Sequence, residues 1–146
     1  RDTLFDLYCG IGTIGIFCSD KVKRIYGIEI VPDAIKDAKE NAKLNNINNI
    51  EFILGPAEDK INELYEKEIY ADAIIVDPPR KGLDEKLINV ILEKEPKQIV
   101  YISCNNATFC RDVKLLEKKY ALNEIALVDM FPHTKHVETV ALLNRM

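Results

Sequence analysis

A cysteine at a strand-to-helix junction can serve as a nucleophile, and Cys104 occupies such a junction in Tyr101-Ile-Ser-Cys-Asn-Asn-Ala-Thr-Phe109. The apolar run Gln98-Ile-Val-Tyr-Ile102 reads as a strand, and a helical pattern opens at about Asn106. Open α/β sheets carry their chemistry at the carboxyl ends of their strands. A helix start favours thiolate over thiol, and thiolate is the attacking form. Cys104 is flanked by Ser103 and Asn105 and lies on no apolar stripe, whereas Cys9, Cys18 and Cys110 read as buried core residues.

Two further segments carry groups of chemical interest. Gly10-Ile-Gly-Thr-Ile-Gly15 fits GxGxxG between a strand and a helix. There the glycines let the backbone approach a ligand and the helix start offers free N–H groups. Glu29, ending the second strand, has the position of an acid that holds a ribose diol. Asp6, just ahead of the loop, is a poor neighbour for a pyrophosphate and a better one for a cationic ligand. In Asp77-Pro-Pro-Arg-Lys-Gly82 the two prolines stiffen the strand exit and present Asp77 rigidly. The bland alternatives are a tight βα turn for the glycines and a capping aspartate in a proline turn for Asp77.

The elements that must position these groups alternate. Strands are predicted at Thr3–Tyr8, Arg24–Ile30, Ile50–Leu54, Ala73–Val76 and Gln98–Ile102. Helices are predicted at Thr13–Ser19, Pro32–Leu44, Ala57–Lys67, Glu85–Leu92 and Asn106–Lys119. Pro32 and Asp33 suit a first helical turn. The tail breaks the alternation: Asn123–Met130 and Val137–Asn144 read as two strands joined by the turn Phe131-Pro-His-Thr-Lys135. The expected fold is α/β and Rossmann-like, a seven-stranded, mostly parallel sheet with an antiparallel C-terminal strand pair and helices on both faces.

With 146 residues the chain is expected to form one domain, large enough to do without staples. It has no run of about 18 apolar residues and no visible signal peptide, so no membrane partner is expected. Its four cysteines form no CxxC pair, so no metal framework is expected, and a reducing cytoplasmic setting fits them best. His133 and His136 form HxxH, but two ligands are too few for a metal. The formal charge of −4 lacks the basic signature of a free-standing nucleic-acid binder. The chain starts at Arg1 and enters a strand almost at once, which reads as a piece of a longer protein.

The first loop, Asp6-Leu-Tyr-Cys-Gly-Ile-Gly-Thr13, resembles the first motif of the class I methyltransferases. That resemblance implies S-adenosylmethionine as cofactor, cradled by Asp6, Tyr8, Gly10, Gly12 and Thr13, with Glu29 on the ribose hydroxyls and S-adenosylhomocysteine as product. Amino-group methyltransferases carry a similar acid-Pro-Pro followed by an aromatic residue; here Arg80 follows instead.

Asp77–Gly82 (DPPRKG), Ser103–Phe109 (SCNNATF) and His136–Leu143 (HVETVALL) together are similar to the RNA 5-methyluridine (uracil-C5) methyltransferases acting on tRNA or ribosomal RNA. The similarity spans the whole chain. It implies that Cys104 is the nucleophile and Glu138 the general base, with Asn105 and Arg80 on the substrate and Asp77 on the methyl donor or the uracil. One departure is visible: the family commonly has proline after SCN, where this chain has Asn106, expected to alter the local turn more than the chemistry. Family members carry a further N-terminal portion, often an oligonucleotide-binding fold and sometimes an iron–sulfur cluster. RNA capture is therefore expected there, and this piece alone is expected to have little turnover. Rival readings stay open: a methyltransferase of a base amino group, a non-catalytic cofactor- or RNA-binding module, and, furthest, a dinucleotide oxidoreductase.

Overall fold

The computed structural model describes residues 2–129 and 137–146. The elements are β1 (Thr3–Leu7), α1 (Thr13–Cys18), β2 (Arg24–Glu29), α2 (Pro32–Leu44), β3 (Ile50–Leu54), α3 (Ala57–Glu66), β4 (Ala73–Val76), α4 (Glu85–Lys94), β5 (Gln98–Ser103), α5 (Asn106–Leu116), β6 (Tyr120–Val128) and β7 (Glu138–Arg145). The strands follow the order β3-β2-β1-β4-β5-β7-β6 in one seven-stranded sheet, parallel across β1, β2 and β3 and antiparallel across β5, β7 and β6. This is the expected α/β fold.

Local chemistry sets most boundaries. Pro32 opens α2, with Asp33 in its first turn and Lys43 in its last, the charge order that complements the helix dipole. Asp84 caps α4 by accepting the Lys86 N–H at 2.9 Å. Asn105 caps α5, its Oδ1 accepting from Ala107 N and Thr108 N at 2.9 and 3.3 Å. Such caps contribute about 1 kcal/mol each. The strands β1 and β4 are apolar and buried almost throughout, as strands covered on both faces must be.

Most boundaries fall within one or two residues of the sequence-based expectation, and two differ by three. Helix α5 ends at Leu116, three residues early, and β6 begins at Tyr120. Tyr120 is buried and its hydroxyl donates to the Pro96 carbonyl at 2.7 Å, a long-range demand that overrides the helical propensity of Glu117-Lys-Lys119. The predicted Phe131–Lys135 turn, His133 and His136 lie outside the described residues. Among the described residues no helix is long and apolar enough to cross a membrane.

Contacts divide the chain into two compact units, residues 1–74 and 75–146. In the first, Cys9, Ile35, Ala38, Ala42 and Phe52 form an apolar cluster beneath the glycine loop. In the second, Tyr101 and Phe109 meet edge to face at 5.2 Å, and the fully buried Asp112 accepts from Tyr101 OH at 2.6 Å and Leu83 N at 2.8 Å.

Candidate active site

In the first unit the glycine loop turns through three left-handed residues: Tyr8 (φ 62°), Gly10 (φ 55°) and Gly12 (φ 84°). A Cβ on Gly10 would meet nothing within 4 Å, so the loop's outer side is open to a ligand. A Cβ on Gly12 would lie 2.8 Å from Phe52 Cζ and 3.3 Å from Ala38 Cβ. Gly12→Ala combines that clash with a left-handed alanine, and urea denaturation is expected to show a loss of about 1–3 kcal/mol.

Glu29 ends β2 with its carboxylate held by backbone. Its Oε1 accepts from Gly10 N at 3.0 Å, and its Oε2 accepts from Ile30 N and Val31 N at 2.8 and 3.0 Å. The acid is thereby fixed against the loop while each oxygen keeps lone-pair capacity for a diol. Beside it Ile30 and Val31 are 61% and 49% exposed, apolar surface of the kind that receives a purine face. Neither stands out in the sequence, where their signal is an apolar pair between the strand-ending acid and Pro32. Asp6 is 1% exposed and its Oδ2 accepts the Gly15 N–H at 3.1 Å, so it anchors the loop from below. Thr13 is exposed at the start of α1. An open glycine turn, a fixed carboxylate and an adjacent apolar face fit a nucleoside-bearing cofactor.

The second unit gathers the other groups. β5 and β7 pair antiparallel, ending at Ser103↔Thr139. Cys104 and Glu138 are the residues that adjoin this last pair, although 33 residues separate them in the chain. Ser103 and Thr139 are each 3% exposed, while Cys104 is exposed and Glu138 half-buried, as the alternation of a strand requires. The turn around Cys104 is pinned by Ser103, whose hydroxyl accepts from Asn105 N at 3.0 Å and donates to Asn105 O at 2.9 Å.

Glu138 Oε2 is buried with no hydrogen-bond partner among the described residues. Leaving such an oxygen unsatisfied costs about 1–3 kcal/mol, and a catalytic role is one of the reasons for which a fold keeps one. Of the other cysteines, Cys9 is buried, its thiol pushed up to about 12 by burial and by the charges of Asp6 and Glu29. Cys18 is half-buried and its thiol is also raised, chiefly by desolvation. Cys110 departs from the core assignment and is exposed. Phe109, Asp112, Val113 and Leu116 form the buried stripe of α5, which leaves position 110 facing solvent.

Helix α5 also grips the Asp77–Gly82 segment. Thr108 Oγ1 donates to the Arg80 carbonyl at 2.9 Å, and Arg111 Nη2 donates to the Lys81 carbonyl at 2.8 Å. Gly82 is required here: at φ 80° its Cβ would lie 2.6 Å from Asp112 Oδ2. The Arg80 side chain is left exposed, and the Asn105 side-chain oxygen is engaged by its cap.

Asp77 keeps an open flank, yet its carboxyl is raised to about 6, first by desolvation and then by the charge of Glu138. Between about pH 4 and pH 6 the folded chain then holds more protons than the unfolded one, so stability falls as pH rises through that window. Asp77→Asn removes the penalty. Its melting temperature is expected to exceed the wild type's above about pH 6, and the difference to close below about pH 4, in paired thermal scans.

The fold defines the class: this is the seven-stranded architecture of the class I S-adenosylmethionine-dependent methyltransferases. The precorrin-6y C5,15-methyltransferase of Geobacter metallireducens superposes with a TM-score of 0.78 at 14% identity, over 99% of this chain and 80% of that one, a likeness of fold alone. The chain belongs to the tRNA (uracil-5-)-methyltransferase family, whose model matches residues 1–146. An uncharacterized RNA methyltransferase of Bacillus cereus is 53% identical over 147 residues, which is 100% of this chain and 32% of that protein. The tRNA (uracil-54, C5)-methyltransferase of Pyrococcus abyssi, solved with S-adenosyl-L-homocysteine, shows 38% identity and a TM-score of 0.84 over 98% of this chain and 34% of its own. The chain thus spans about a third of the length of the curated relatives it matches.

Proposed function

We propose that this chain is the catalytic domain of a longer RNA methyltransferase that methylates C5 of a uridine in tRNA or ribosomal RNA through a covalent cysteine adduct. The observation that carries the reading is a strand ladder whose last pair adjoins both an exposed cysteine and a carboxylate with an unsatisfied buried oxygen. A binding module has no use for that pairing.

The first unit would hold S-adenosylmethionine. Gly10 and Gly12 line its approach, Glu29 takes the ribose hydroxyls, Ile30 and Val31 face the adenine, and Asp6, Tyr8 and Thr13 shape the loop. When bound, the cofactor supplies an electrophilic methyl group on a sulfonium. The residues of the second unit do the rest. Uracil C5 is too weak a nucleophile unaided. The Cys104 thiolate forms a bond to C6 and pushes the ring's π electrons towards O4, which makes C5 electron-rich. Once C5 carries the methyl group, Glu138 accepts the C5 proton, the C5–C6 double bond reforms and the C6–sulfur bond breaks, returning the thiolate. Asp77 and Arg80 flank the site and orient the uracil or the donor, with Asn105 beside the nucleophile. A uridine inside folded RNA must be turned out of its stack to reach Cys104. With a net charge of −4, the domain relies on the remainder of the protein for RNA capture.

The test is a trap on the full-length protein, with S-adenosylmethionine and RNA containing 5-fluorouridine, since fluorine cannot leave as a proton does. Peptide mass spectrometry is expected to find the adduct on Cys104. Cofactor binding without any adduct across tRNA and ribosomal RNA would overturn the mechanism in favour of an amino-group or non-catalytic reading. Gly12→Ala, in the same protein, is expected to weaken S-adenosylhomocysteine binding in calorimetric titration.

A further inference from the structure

The backbone ladder between β5 and β7 ends at Ser103↔Thr139, one residue short of Cys104 and Glu138. Past that point a side-chain bond continues the connection. The Thr139 hydroxyl donates to Asn106 Oδ1 at 3.3 Å. Thr139 is the buried neighbour of Glu138, and its backbone is fixed on both sides, opposite Ser103 in β5 and Leu127 in β6. Asn106 is the first residue of α5, immediately beyond the Cys104–Asn105 turn. The turn is therefore held on its near side by Ser103 and on its far side by Asn106 reaching across to the strand that carries Glu138.

We propose that Asn106 and Thr139 form a positioning pair that sets the nucleophile turn against the base, and that their bond governs release of the covalent adduct more than its formation. This inference rests on the mechanism given above. Adduct formation needs only Cys104 and the uracil. Release needs Glu138 within reach of a proton on a ring already fixed to Cys104, so the Cys104–Glu138 spacing enters at that step alone. Misplacement of a reacting pair by about 1 Å can cost on the order of 100-fold in rate. A single neutral hydrogen bond is a modest restraint, and about a tenfold slowing of release is expected from its loss.

The experiment uses the full-length protein with unmodified RNA and with 5-fluorouridine RNA. Thr139→Val removes the hydroxyl and keeps shape and strand propensity; Asn106→Ala removes the acceptor from the exposed side and guards against a folding failure of the first. Both are expected to lower kcat about tenfold and to accumulate adduct on unmodified RNA, while the rate of 5-fluorouridine trapping and kcat/KM stay near wild type, so that KM falls with kcat. The double variant is expected to be no worse than either single, and Thr139→Ser to restore the wild-type partition. Wild-type adduct levels in both single variants would overturn the inference while leaving the mechanism standing. Equal slowing of trapping and turnover would do the same by revealing a merely structural bond. A wild-type protein that forms no trapped adduct would overturn the mechanism and this inference together.

Discussion

Cys104→Ala in the full-length protein is expected to abolish turnover, by about 10⁴-fold or more in kcat, the scale on which enzymes lose rate when a covalent nucleophile is deleted. S-adenosylhomocysteine affinity is expected to be unchanged, because the proposed partner of the Cys104 thiol is the uracil ring and not the cofactor. Folding should also survive, since the side chain is exposed and its turn is held by the Ser103 and Asn105 bonds. Cys110→Ala is the matched control: a second exposed thiol, on α5, whose loss is expected to leave kcat unaltered. Tritium-labelled methyl transfer to RNA reads all three proteins. Retained activity in Cys104→Ala would exclude the C6 adduct and return the amino-group mechanism, which needs no thiol.

The second large effect is expected at Glu138, and it differs in kind. Glu138→Gln keeps the shape and removes the base, so Cys104 still attacks and C5 still accepts the methyl group, but the proton stays on carbon. Turnover is expected to fall by about 10²–10⁴-fold, the usual worth of a positioned general base. Denaturing gels should then show protein and unmodified RNA migrating as one covalent species, with the methyl label in the band. Loss of the adduct together with turnover would instead assign Glu138 to substrate binding. The variant also bears on Asp77. The Glu138 charge is one cause of its raised carboxyl, so Glu138→Gln is expected to move the Asp77 titration downward from about 6, towards the ordinary carboxylate range. Desolvation, the larger cause, remains.

Sequence alone went far here because its signals are local. Asn105 and Asp84 announce their helix starts and Pro32 opens α2. The Ala73–Val76 and Ile50–Leu54 runs carry strand character within four or five residues, and these elements fall where the pattern put them. The glycine loop was legible for the same reason, since GxGxxG followed by a strand-ending acid is itself a short-range pattern. Cys104 stands out at its strand-to-helix junction, whereas Glu138 is singled out only by the resemblance. Nothing in the run Glu138-Thr-Val-Ala marks its first residue as a base rather than a surface strand residue.

What the sequence by itself determined is therefore the kind of element at each position and the inventory of reactive groups. Tertiary structure decided their relations. It inserted β7 between β5 and β6, where chain order suggested only a strand pair at the end. It stopped α5 at Leu116 because the buried Tyr120 had a carbonyl to reach. It turned Cys110 to solvent, gave Asp6 a buried anchoring bond, and ended the β5–β7 ladder with Cys104 and Glu138 each one residue beyond it. It also linked Asn106 to Thr139, a bond that the amino acids at those positions do not suggest. The physical reason is common to all of these. Propensity, capping and turn chemistry act over a few residues, whereas strand register is set by which side chains the two faces must bury, and a one-residue slip would send the whole face of β7 the wrong way.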